Sequence, residues 1–167
     1  MKQADAIALL SKGIKASHPQ HWADLGCGSG TFTKALTELL PAGSRIDAVD
    51  QRMQRLALPV NFICANFETD DLPLTQLDGI LMANALHFVK DKLKLIQKLE
   101  TYFSSVKKFL IVEYDTGDAN PWVPYPIPYS LLNDLFSGLG YQQIIKLASR
   151  PSIYNRATIY AALAQKT

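Results

Sequence analysis

Apolar positions along the chain alternate between two periods. Ile7, Leu10 and Ile14 recur at helical spacing within residues 4–16. HWADL (21–25) has the short, compact apolar run of a strand. Helical spacing returns at Phe32, Leu36, Leu39 and Leu40, and Pro41 with Gly43 ends that run. Residues 44–49 predict a second strand, followed by a short helical turn around Met53–Leu56. VNFICA (60–65) and LDGILMA (77–83) predict the third and fourth strands. Asp91 is placed to cap a helix whose buried face is Leu93, Ile96, Leu99 and Phe103. KFLIVEY (108–114) predicts a fifth strand. Ser130 is placed to cap the last helix, with Leu131, Leu132, Leu135 and Leu139 facing inward and Gly138 or Gly140 ending it. YQQIIKLA (141–148) and ATIYAALA (157–164) close the chain as strands six and seven.

Strands that alternate with helices predict an α/β fold: a doubly wound, mostly parallel seven-stranded sheet with helices on both faces. The near-continuous apolar strands agree with burial on two sides. The last two strands are joined by about eight residues, too few for a parallel crossover, so one antiparallel strand is expected near the C-terminus. No repeat, low-complexity tract or linker divides the 167 residues, which predicts a single domain over 1–167.

Composition narrows the function. Seventeen basic residues against 15 acidic leave a net charge of +2, and none of the basic residues forms a long run. Nucleic-acid or membrane-surface binding therefore has no electrostatic support. MKQADAIALLSKGIK reads as an amphipathic helix and not a signal peptide, and no apolar run is long enough to span a bilayer. Cys27 and Cys64 show no metal-ligand spacing and no disulfide framework; reduced thiols and a cytoplasmic location are expected, with no metal.

The most distinctive stretch is WADLGCGSG (22–30). In a doubly wound sheet the first strand–helix turn lines the ligand crevice. The dinucleotide pattern G-x-G-x-x-G fails in either register: counted from Gly26 its third glycine position holds Thr31, and counted from Gly28 it holds Thr33. A phosphate loop of the GxxxxGK type is absent as well. Asp24, inside the first strand, would repel a pyrophosphate and favour an ammonium or sulfonium. Asp50 ends the second strand about 20 residues beyond Gly30, where a carboxylate accepts both hydroxyls of a ribose. Asn66 and Phe67 end the third strand with an amide beside an apolar face, suited to an adenine edge and ring. MANALHF (82–88) ends the fourth strand at the same crevice.

These residues resemble those of the class I S-adenosylmethionine (SAM)-dependent methyltransferases, over nearly the whole chain. The family's acidic-x-Gly-x-Gly-x-Gly loop is matched by Asp24, Gly26, Gly28 and Gly30, and its acidic ribose ligand by Asp50. Leu86–His87 match a stretch after the fourth strand, and Asn66 stands where the family usually carries Asp. The resemblance implies SAM as cofactor. It implies a cofactor-binding set of Asp24, Gly26, Cys27, Gly28, Gly30, Asp50, Gln51, Met53, Asn66, Phe67 and Asn84.

Methyl transfer from a sulfonium is an in-line displacement, so the protein mainly orients the reactants and removes a proton where the nucleophile carries one. His87, at the crevice mouth, is the candidate base; its alternative is a packing role beside Phe88. Glu113 and Asp115 flank the end of the fifth strand as candidates for a polar substrate group, whereas His18 and His21 lie at the N-terminal, inactive end of the first strand. DTGDANPWVPYPIPY (115–129) carries four prolines and presents Trp122, Tyr125 and Tyr129, which suits an aromatic wall for a flat small molecule; covering the sheet edge is the alternative. SRPSIYNR brings Arg150 and Arg156 towards the crevice for an acidic substrate, or to solvent. Substrate contacts are thus expected at Glu113, Trp122, Tyr125, Arg150 and Arg156. The chain lacks the larger N-terminal or inserted lids of many small-molecule methyltransferases, which leaves the pocket open or completed by a second subunit, as in a homodimer, or by a macromolecule. A SAM-binding but inactive module supporting a partner protein is the competing function, and a nicotinamide dehydrogenase is disfavoured by the glycine register.

Overall fold

A computed structural model describes residues 1–152 and 157–167. Its centre is a seven-stranded sheet in the order β3-β2-β1-β4-β5-β7-β6. The strands are β1 (His21–Leu25), β2 (Arg45–Asp50), β3 (Asn61–Cys64), β4 (Gly79–Ala83), β5 (Lys107–Tyr114), β6 (Gln143–Pro151) and β7 (Thr158–Lys166). All neighbours pair parallel except β7, which runs antiparallel to both β5 and β6. The chain winds outward from β1 through β2 to β3 and then returns to lay β4 on the other side of β1. The switch point, where ligands bind in such sheets, therefore lies between the C-terminal ends of β1 and β4.

Successive strand residues point to opposite faces, and both faces are buried. Trp22, Leu81, Leu110 and Val112 join a core with helices α1 (Gln3–Leu10) and α2 (Thr31–Leu39). Ala23, Ile80, Met82, Phe109 and Ile111 join the other, with α3 (Lys92–Leu99) and α4 (Tyr129–Gly138). The near-continuous apolar runs of the strands follow from this double burial.

Close packing fixes one glycine. Gly79 pairs directly with Trp22, and a Cβ at Gly79 would stand 2.4 Å from two atoms of the Trp22 indole. Gly79→Ala is expected to destabilise the fold by about 1–3 kcal/mol, the usual cost of overpacking a core. A lowered urea midpoint at unchanged m-value is the measurement; an unchanged midpoint would show that the indole moves aside freely.

Several boundaries depart from the sequence reading. Residues 51–60 form no helical turn at Met53–Leu56, so β2 reaches β3 through irregular chain. Helix α1 ends at Leu10, and a 3₁₀ turn over Ser11–Gly13 leaves Ile14 outside it. Leu93 and Leu131 are 49% and 53% exposed, because α3 buries Leu95, Ile96 and Leu99 and α4 buries Leu132 and Phe136. Asp91 caps α3 as expected, accepting from Lys94 N. Ser130 does not cap α4: the Tyr129 N–H donates instead to Asp115 Oδ1 at 2.9 Å, and Asp115 Oδ2 pairs with Lys146 at 2.9 Å. No helix among the described residues is long and apolar enough to cross a membrane.

Candidate active site

The site is built on the turns that leave β1, β2 and β4. Gly26 N and Cys27 N both donate to Val49 O, at 2.8 and 3.0 Å, which folds the glycine turn back against β2. Gly26, Gly28 and Gly30 have φ of 77°, 50° and 85°, the left-handed region that glycine enters without strain. A Cβ on Gly26 would meet Ala85 Cβ at 2.7 Å, so the β1 and β4 turns touch there. A Cβ on Gly28 would meet nothing within 4 Å, so its backbone faces the open crevice.

Two carboxylates flank this turn. Asp50 accepts from Gly28 N through Oδ2 and from Arg52 N through Oδ1, both at 2.9 Å. That fixes the carboxylate and takes the Gly28 N–H a phosphate would need. Asp24 is buried; its Oδ2 accepts from Thr33 Oγ1 at 2.6 Å, and its Oδ1 has no partner among the described residues. Burial pushes its pKa up to about 7 against the Thr33 hydrogen bond, with the nearby Asp50 charge adding to the rise. Burial, then Asp24 and Asp50, push the Cys27 thiol up to about 12, so it stays protonated and is no nucleophile.

Three cavities open at this end of the sheet, and Asn84 lines all of them. The first, about 520 Å³, is walled by Asp50, Gln51, Arg52, Asn66, Phe67 and Phe88. Asn66 Oδ1 also accepts from Glu68 N at 2.9 Å, leaving one lone pair for a ligand. Met53 does not line this cavity and is 71% exposed. The second, about 240 Å³, lies beside the glycine turn and reaches Cys27, Tyr114 and Arg150. Arg150 there pairs with Asp5 of α1 at 2.5 Å. Arg156 lies outside the described residues. The third, about 560 Å³, is walled by His87, Phe88, Tyr114, Trp122 and Val123.

Asn84 itself has φ 53°, which Asn tolerates better than most residues. Its N–H donates to Val112 O at 2.8 Å, and its buried Oδ1 has no partner among the described residues. Two unpartnered oxygens thus lie near the glycine turn and the Asp50 carboxylate: that of Asn84, which lines the cavities, and that of Asp24, which is buried at the end of β1 and lines none of the three. Such a donor-seeking set fits a cofactor with an ammonium, a sulfonium and ribose hydroxyls, and fits a pyrophosphate poorly.

His87 sits in a 3₁₀ turn, Leu86–Phe88, just beyond β4 and is buried. Glu113 clamps that turn. Its Oε1 accepts from Leu86 N and His87 N at 2.9 and 3.1 Å, and its Oε2 lies 2.7 Å from His87 Nδ1. A carboxylate accepts, so Nδ1 carries the proton and Nε2 is left as the acceptor. Glu113, expected to contact substrate, is buried behind His87 and lines none of the three cavities; strand alternation turns it under the β4 turn. Asp115 is occupied as the α4 cap. Tyr125 does not line the third cavity; its N–H donates to His87 O at 3.0 Å, tying the proline-rich segment to the histidine turn. His21 starts β1 at the opposite end of the sheet and contacts Asp47 at 2.5 Å. Thr33, Phe88 and Tyr114 were not anticipated. Tyr114 ends β5, so the rule that strand ends line the crevice points to it; no sequence signal marks Thr33 as the partner of Asp24.

The sheet order, the lone antiparallel strand and the glycine turn at the switch point define a class I, Rossmann-like methyltransferase fold. A family model described as a methyltransferase domain matches residues 23–106, half of the chain. A crystal structure of 1,6-didemethyltoxoflavin-N1-methyltransferase from Burkholderia thailandensis, with bound 1,6-didemethyltoxoflavin and S-adenosylhomocysteine (SAH), superposes with a TM-score of 0.74 at 20% identity, over 99% of this chain and 78% of that one. A SAM-dependent methyltransferase from Aquifex aeolicus superposes with a TM-score of 0.66 at 13% identity, over 100% of both chains. The plantazolicin methyltransferase in complex with SAH gives a TM-score of 0.67 at 14% identity, over 99% of this chain and 83% of that one. Comparison with curated protein sequences gives no match. The chain belongs to the class I SAM-dependent methyltransferases, and SAM is its methyl donor.

Proposed function

We propose that residues 1–167 act as one domain that moves the methyl group of SAM to a small-molecule nucleophile, with His87 as proton acceptor. When bound, SAM supplies an electrophilic methyl group on a sulfonium. Asp50 holds the ribose hydroxyls; Asn66 and Phe67 meet the adenine, with Gln51 beside them. Gly26, Cys27, Gly28 and Asn84 would wall the amino-acid part, with Gly30 closing the turn and Asp24 buried behind it, both outside the lining of the three cavities. Met53 is not assigned a contact. The observation that carries this reading is the meeting of the three cavities at Asn84. A cavity walled by Asp50 and a cavity walled by His87 share that residue, which supports reading them as a donor site and an adjoining acceptor site. The 1,6-didemethyltoxoflavin bound in the Burkholderia methyltransferase supports an acceptor of that size.

Thermal melting with SAM, SAH and NAD tests the reading. SAM and SAH at ~100 times Kd should each stabilise the protein by about 2.7 kcal/mol, and NAD should leave the melting temperature unchanged. A shift with NAD alone would overturn it.

A further inference from the structure

We infer that the methyl acceptor is an uncharged, flat aromatic molecule with an ionisable O–H or N–H, which stacks on Trp122 and gives its proton to His87 Nε2. The inference rests on the reading above and adds the class of substrate. Among the described residues that wall the third cavity there is no Asp, Glu, Lys or Arg. The charged groups that brace the histidine turn and the segment after β5 are engaged: Glu113 by three N–H groups, Lys92 by Val89 O and Tyr125 O, and Asp115 by Lys146. A charged acceptor entering there would meet no counter-ion among the described wall residues.

The walls are large, rigid faces. Trp122 is 82% exposed, an unusual setting for so apolar a side chain. The turn that carries it is fixed: Asn120 Oδ1 accepts from Trp122 N at 2.9 Å and Val123 N at 3.0 Å, and Val123 is buried. On the same cavity, His87 packs on Phe88 at a ring-centroid distance of 4.3 Å, with Tyr114 at 6.0 Å. A flat ring against these aromatic walls gains stacking and apolar burial together.

The buried polar chemistry is equally specific. Glu113 holds the proton on Nδ1, so Nε2 is the acceptor nitrogen of the dyad. The acceptor's O–H or N–H bond breaks, its proton goes to Nε2, and its electron pair forms the bond to the transferred methyl carbon. The electron pair of the broken carbon–sulfur bond stays on sulfur, which becomes the neutral thioether of SAH. The imidazolium lies against the Glu113 carboxylate and later returns the proton to water. Glu113 is a positioning residue here, because it acts only through His87.

The full chain loaded with SAH is titrated with naphthol, naphthoate and naphthyl methyl ether, following Trp122 fluorescence, with Trp122→Phe as the blank for the buried Trp22. Naphthol should quench saturably and bind about tenfold or more tighter than naphthoate. With SAM, naphthol alone of the three should release SAH. His87→Gln should keep naphthol affinity within about threefold and slow methyl transfer on the order of 100-fold or more. Nitrogen NMR of the His87 ring should show the Nδ1–H form in the parent and a mixture in Glu113→Gln. Equal or tighter binding of naphthoate, no quenching by naphthol, naphthol bound but never methylated, or full activity in His87→Gln would each overturn the inference. If SAH itself fails to raise the melting temperature, the donor assignment falls; if SAH raises it and naphthoate is preferred, only the acceptor class falls.

Discussion

The Asp50→Ala protein is expected to melt at the same temperature with and without SAH. In the parent protein, SAH at ~100 times Kd contributes about 2.7 kcal/mol, roughly 5–11 °C for a chain of this size. Asp50 is asked to do two things. It presents lone pairs to the ribose, and it holds Gly28 N–H and Arg52 N–H, so that the glycine turn keeps its shape. Alanine removes both, and the turn's N–H groups then compete for water. Asp50→Asn separates the roles, since an amide oxygen keeps one of the two backbone contacts and loses the charge. It should retain part of the shift. Calorimetric titration gives the same comparison directly, and an Asp50→Ala protein that binds SAH as tightly as the parent would place the ribose elsewhere.

The second large effect concerns pH. The Asp24 carboxyl keeps its proton up to about pH 7 in the folded chain, because burial disfavours the anion, and ionises near 3.8 when exposed. Between these values the native state binds more protons than the unfolded state. This group's contribution is therefore full below pH 4 and is lost as the pH rises through 7. The ceiling of the effect is roughly 4 kcal/mol. Asp24→Asn keeps an acceptor for Thr33 Oγ1 and cannot ionise. Without cofactor it should match the parent near pH 4.5 and exceed it at pH 8 in urea midpoint. Parallel midpoints across that range would show that Asp24 is not the titrating group. Cofactor binding reverses the preference, because a cation beside Asp24 favours the carboxylate. SAM affinity should fall by up to about tenfold per pH unit below 7 and level off above it, and Asp24→Asn should flatten that slope.

Much of this arrangement is legible in the chain, for identifiable reasons. The strands are buried on both faces, so 77–83 and 108–114 read as apolar runs even though their residues serve two different cores. The eight residues between the last two strands exclude a crossover, which requires one of the two to run antiparallel before any pairing is known; the pairing makes it β7. The glycine spacing around Asp24 separates a SAM loop from a dinucleotide loop. What stays hidden depends on direction. Glu113 and Tyr114 are neighbours at the end of β5, yet one turns under the histidine and the other towards the cavities; an acidic residue at a strand end reads as a substrate contact until its partners are seen. Leu131 is next to the buried Leu132 and Leu93 two residues before the buried Leu95, and apolar spacing alone does not decide which of such near positions faces in. The cap of α4 comes from Asp115, too far along the chain for a local motif to show it.

The link between Tyr125 N and His87 O has a consequence for how such a protein diversifies. The residues assigned to the donor lie between 24 and 84, whereas Tyr114, Trp122 and Val123 of the acceptor wall come from one later stretch. The Tyr125–His87 hydrogen bond, the Lys92 bridge from Val89 O to Tyr125 O and the Glu113 clamp hold that stretch in register with the histidine. Residues 116–124 can therefore be exchanged for another sequence without disturbing the cradle around Gly28, provided the carboxylates at 113 and 115 and the contacts of 125 are kept. New acceptors become reachable by loop grafting, at little risk to the half of the site that every methyl transfer needs.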